Sequence, residues 1–149
     1  MKLTISLLGL LLGLTAFGQI PTKHYNLKRG IAIQGYDPVS YFEKGEAKKG
    51  LESIQYKYNG ATYLFASSAH KQAFEANPAQ YEPTYGGYCA YAMADGDKVK
   101  IDPKTFKVLD GKLYLFYNFG GTNTLKLWND EEASLLPKAD KAWKKIINQ

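Results

Sequence analysis

Hydrophobic and polar positions alternate most clearly along "IQYKYNGATYLFA", residues 54–66, where Ile54, Tyr56 and Tyr58 share one side of an extended segment. Asn59-Gly60 is a favoured pair for a tight type I′ turn, and residues 62–65 return after it, so the pattern predicts a β-hairpin. The same arrangement recurs in "FKVLDGKLYLFYN", residues 106–118, with Asp110-Gly111 between the two arms. Between the hairpins, "SSAHKQAFEANPAQY" changes to helical spacing. Ser67 or Ser68 can cap a helix carrying Ala69, Ala73 and Phe74, with His70 in its first turn, and Asn77-Pro78 must end it.

Upstream, "GIAIQGYDPVSYFEKGEAKKG" reads as a short strand over 31–33, a turn set by Asp37-Pro38 and an edge segment through Tyr41 and Phe42. Downstream, residues 123–148 carry Leu125, Trp128, Leu135, Leu136, Ala139, Trp143 and Ile146 at helical spacing, with Pro137 expected to divide them into two helices. The expected fold is therefore α+β: a small antiparallel sheet built from two hairpins, packed with a central short helix and C-terminal helices.

The first residues follow a different rule. Lys2 precedes an almost wholly apolar run over 3–17 that is too short to span a bilayer, and Ala16-Phe17-Gly18 offers a small-x-small cleavage pattern. Residues 1–18 are read as a signal peptide, 19–29 as a polar linker and 30–149 as one domain. The mature chain is expected outside the cytoplasm, periplasmic or secreted, with no stable membrane insertion. At 149 residues, 45% hydrophobic and 22% charged, one domain with a sizeable core suffices. Twelve tyrosines suit either a tyrosine-rich core or a binding cleft. The net charge of +5 is partly carried by Lys138, Lys141, Lys144 and Lys145, whose spacing reads as a solvated helix face. An exported domain with few arginines is not expected to bind nucleic acid, and a monomer is expected.

Export sharpens the question posed by "YGGYCAYA", residues 85–92, which holds the only cysteine, Cys89. No internal disulfide is possible, so the odd thiol suggests an intermolecular bond, a ligand or a free reactive group, or else a small apolar filler. Gly86-Gly87 permits a tight turn. If a short helix opens after it, Cys89 falls in the first turn, where unpaired N–H groups favour an anion, and the phenols of Tyr85, Tyr88 and Tyr91 are within reach as hydrogen-bond partners or as the wall of a ligand pocket. Met93, four residues on, shares its helical face. Cys89, Met93 and His70 would together form a soft donor set suited to copper. Asp37 most simply bonds its own backbone beside Pro38, but is a candidate for lining a site; His24 in the linker is a weaker candidate ligand. No Ser-His-Asp arrangement, phosphate loop or CxxC pair is present, which disfavours hydrolases, kinases and thioredoxin-like enzymes.

In order along the chain, "GYDPVSYF", "YNGATYLFASSAHKQAF", "NPAQYEPTYGGYCAYAMADG" and "DGKLYLFYN" resemble the exported YHS-domain proteins, over residues 30–143. The resemblance implies a small metal-associated module. In the wider group, cysteines occupy the positions of Ser40, Ala66 and His70, so the thiolate cluster is absent here and His70 is the remaining candidate ligand at those positions. The exported subfamily includes forms with selenocysteine at the position of Cys89, which implies chemistry at that residue. Three functions follow as expectations: a module holding copper or another soft metal ion through Cys89, with His70 and Met93; a single-thiol redox protein with an activated Cys89; or a tyrosine-lined module for a small organic ligand, with Tyr85, Tyr88, Tyr91 and Asp37 around it. The residues favour a binding module over an enzyme.

Overall fold

A computed structural model describes residues 20–149; the expected signal peptide lies outside the described residues. Both hairpins form where the alternation places them. Strands β3 (Leu51–Tyr58) and β4 (Ala61–Phe65) pair antiparallel across Asn59-Gly60. Asn59 and Gly60 both take positive φ, 48° and 78°, as the turn type demands. The fold is α+β as expected, but the sheets are organised differently. Strands β1 (Leu27–Lys28) and β2 (Ile31–Ala32) join the first hairpin in a four-stranded sheet of order β1-β2-β4-β3, and β2 runs parallel to β4. This sheet is therefore mixed.

The second hairpin, β5 (Asp102–Leu109) and β6 (Lys112–Phe116), forms a separate sheet. Its β6 strand meets the preceding irregular segment instead, through bridges of Pro83 to Leu113 and Cys89 to Leu115. A short third pair, β7 (Asn118–Phe119) and β8 (Thr122–Asn123), leads into the last helix.

Three elements depart from expectation. The strand expected over 31–33 stops at Ala32, and Ile33–Gly35 is a 3-10 turn with Gln34 at φ 51°. The edge segment expected through Tyr41 and Phe42 is a one-turn helix, α1 (Ser40–Glu43), started by Asp37, whose Oδ1 accepts the Val39 N–H at 2.8 Å. Pro137 does not divide the C-terminal segment: α5 (Thr124–Ile147) runs through it, and the departure from helical angles is at Glu131. The exposed Pro137 is carried by packing on either side of it, because Trp128, Ala139 and Trp143 all belong to one apolar cluster. Part of the expected linker is packed as well, since it holds β1 and a 3-10 turn at Thr22–His24.

Two cores result. One gathers Val39, Tyr41, Tyr63, Phe65 and Phe74 beneath the four-stranded sheet, with the Phe74 ring 4.6 Å from that of Tyr63. The other is centred on Trp128, with Tyr85, Met93, Tyr114, Phe116 and Ala139. Four buried tyrosines have anchored polar tips: Tyr41 donates to the Pro103 carbonyl, Tyr25 and Tyr63 both donate to Glu82 Oε1, and Tyr85 donates to Asp140.

Candidate functional site

Asp37 is fully buried, and its carboxylate is the hub of the first core's polar edge. Oδ1 closes the turn on Val39, while Oδ2 accepts the Ala66 N–H at 2.8 Å and lies 2.6 Å from His70 Nδ1. The Asp37 carbonyl accepts the Ser40 hydroxyl at 2.8 Å. Ser40, Ala66 and His70, the three positions expected to carry cysteines in the wider YHS group, thus all meet one aspartate.

His70 is delivered by α2 (Ser68–Ala76), which ends before the one-turn α3 (Pro78–Tyr81); the N-cap of α2, Ser67, accepts the His70 backbone N–H at 3.1 Å. The side chain is 12% exposed, and its Nε2 lies 3.0 Å from Glu43 Oε2 on α1. Glu43 is half in solvent, so the cluster runs from a buried carboxylate through an imidazole to the surface. A neutral imidazole has one N–H. If Nδ1 spends it on Asp37, Nε2 presents a lone pair to the lone pairs of Glu43. Two acceptors at 3.0 Å require a positive charge, either a second ring proton or a bound cation.

Cys89 lies elsewhere and in a different setting. It is the N-cap residue before α4 (Ala90–Met93) rather than a first-turn residue, and its side chain does not cap that helix. It is fully buried. Its Sγ accepts the Tyr117 N–H at 3.4 Å and lies 3.4 Å from Thr124 Oγ1. Thr124 donates its own hydroxyl hydrogen to the Tyr117 carbonyl at 2.9 Å, so the sulfur hydrogen points to Thr124. A neutral thiol is thereby satisfied as donor and acceptor.

The other expected site residues disperse. Met93 packs in the Trp128 core and Cys89 in the Phe74 core. Tyr85 is turned to Asp140, the Lys98 ammonium lies 5.5 Å from the Tyr88 ring, and Tyr91 is half-buried between the two cores. The hydrogen bonds of Cys89 Sγ go to Thr124 and the Tyr117 backbone, not to these phenols. His24 is buried against Trp143. The soft donor set of Cys89, His70 and Met93 is therefore not assembled, and among the described residues no group of three or more His, Cys, Asp and Glu side chains is arranged to hold a metal ion.

Glu43 was not identified from the sequence because residues 41–42 read as extended, which hides its position on α1. The available signal was Asp37-Pro38 itself, since an Asx turn commonly opens a helical turn. Thr124, which receives the Cys89 thiol, carried no signal of its own. No protein-family model matches the chain, and neither a curated protein nor a solved structure does.

Proposed function

We propose that this chain is an exported, YHS-type cation-binding module in which His70 Nε2 and Glu43 hold a borderline divalent ion and Asp37 orients the imidazole. The observation that carries the reading is the 3.0 Å approach of two acceptors, His70 Nε2 and Glu43 Oε2, with the opposite ring nitrogen held by a buried carboxylate. Metal-binding histidines commonly hand their second N–H to a carboxylate in this way, which fixes the tautomer and raises ligand basicity. The motif order shared with exported YHS-domain proteins supports the same class of function. An imidazole and a carboxylate suit zinc or Cu(II) better than Cu(I). With two protein donors, water completes the coordination, and the ion is exchangeable rather than structural.

Titration with Zn2+ against a competing chelator tests this. His70→Ala is expected to lower affinity at least tenfold, and acidification is expected to weaken binding as a proton competes for Nε2. Affinity unchanged in His70→Ala would overturn the reading and leave His70 as an imidazolium that ties α1 to α2.

A second reading, thiolate chemistry at Cys89, is favoured by one observation. The Tyr117 carbonyl also accepts the Thr124 backbone N–H at 3.0 Å, so the Thr124 hydroxyl can turn toward sulfur without stripping that carbonyl. A thiolate would then receive two donors. Native-state alkylation of Cys89 with iodoacetamide, followed against pH, tests it; reaction only on global unfolding would exclude this role.

A further inference from the structure

The segment from Thr22 to Asn26 lies across the turn that leads into Cys89, and its attachments are few and specific. Asn26 donates its backbone N–H to the Gly86 carbonyl at 2.8 Å and its side-chain amide to the Gly87 carbonyl at 3.0 Å. Thr22 donates to the Asn59 carbonyl, and Tyr25 to Glu82. At the centre, the His24 carbonyl lies so close to Gly86 that a Cβ there would come within 2.3 Å of it. Gly86 also sits at φ 62°, so glycine serves both the turn and the close approach.

The His24 side chain is 6% exposed, edge-on to Trp143. Lys98 Nζ lies 3.2 Å from its Nδ1. An ammonium only donates, so Nδ1 is the acceptor and the ring hydrogen is on Nε2. That Nε2 is buried and has no hydrogen-bond partner. A second proton would have to enter at Nδ1, against the Lys98 ammonium, and would leave a buried imidazolium with no acceptor on either nitrogen.

We propose that residues 22–26 form an acid-released strap over the Gly86-Gly87 turn, with His24 as the group that releases it. The docked strap accepts only neutral His24; the released strap lets the ring take a proton. Burial first, then Lys98 and Lys23, hold the docked imidazole below its ordinary value of 6.5. The sign follows: docking is fully favourable above pH 6.5 and weakens as pH falls below it, because the released form binds the extra proton.

The charged groups facing His24 are Lys98, from the segment between α4 and β5, and Lys23 on its own turn; Trp143 from α5 and Gly86 add none. Glu82, which receives Tyr25, acts in the opposite sense. Burial holds its carboxyl above the ordinary value of 4.5, so acid relieves the cost of enclosing it, in a pH range that begins above 4.5. The phenols of Tyr25, Tyr63 and Tyr88 are all raised by burial and stay neutral across this range. The strap is separate from the His70 cluster and does not rest on cation binding there.

Amide hydrogen exchange on the full chain, expressed as protection factors between pH 7.5 and 5.0, reads the strap at Asn26. Protection of Asn26 is expected to fall below pH 6.5 by up to tenfold per pH unit, the limit for one proton. His24→Gln, which keeps a neutral donor and cannot titrate, is expected to flatten the profile. Glu82→Gln is expected to steepen it. A flat profile in the unaltered chain, or the same fall in His24→Gln, would overturn the proposal. Should His24→Gln fail to fold, His24→Phe decides: it keeps a ring edge-on to Trp143 and cannot titrate, so its profile must be flat, and the same fall in that variant overturns the strap.

Discussion

Asp37, beside Val39 at the edge of the Phe74 core, and Cys89, within that core, are both fully buried, yet their surroundings differ in kind. The thiol has a donor for its lone pair and an acceptor for its hydrogen, all without charge. The aspartate accepts two backbone N–H groups and an imidazole whose far side meets a second carboxylate. One site is complete as it stands; the other is complete only when something positive sits between His70 and Glu43. The contrast teaches that the rarest residue of the sequence sits among complete hydrogen-bond partners, while the open set is at an ordinary histidine.

The largest effect expected from breaking this contrast is at Asp37. Asp37→Ala strands the N–H groups of Val39 and Ala66 and releases His70, and is expected to cost about 3 kcal/mol of stability by urea unfolding and to abolish Zn2+ binding. Next, Thr124→Val removes the acceptor for the Cys89 thiol at nearly constant volume. A loss of about 1–2 kcal/mol is expected with Zn2+ affinity unchanged; a fall in affinity would mean that the two regions are coupled.

Glu43→Gln then sharpens the distinction from the other side. Its half-exposed carboxylate is expected to matter little to stability, by about 0.5 kcal/mol or less, while Zn2+ affinity falls about tenfold. The smallest effect expected is a pH trend at Glu82. Its raised folded-state value means that folding takes up a proton, so its contribution improves as pH falls toward 4.5 and is lost as pH rises. Glu82→Gln keeps an acceptor for Tyr25 and Tyr63, and is expected to raise the melting temperature at pH 7 and remove that trend.

The legible parts of the fold were those encoded within a few residues of one another. Asn59-Gly60 and Asp110-Gly111 each join two alternating runs, and Ser67 does cap the helix that carries His70. What was not legible depends on distant partners. The parallel pairing of β2 with β4 joins Ile31 to Thr62, and the passage of α5 through Pro137 depends on a core that Tyr85 and Phe116 help to build. The candidate site divides in the same way. Asp37 and His70 could each be singled out, but they are 33 residues apart in sequence and only packing brings them to 2.6 Å. Glu43 was hidden behind the extended reading of its own helix.

By itself, the sequence determined the α+β class, both hairpins, the cap before His70 and the absence of an internal disulfide partner for Cys89, because turn chemistry, alternation and residue counts are local or global properties of the chain. Tertiary structure alone decided that the sulfur is enclosed between the Tyr117 N–H and the Thr124 hydroxyl, that four phenols are tied to distant partners, and that an aspartate, a histidine and a glutamate from three segments meet. Hydrogen-bond completeness is a property of neighbours in space, and no spacing along the chain records it.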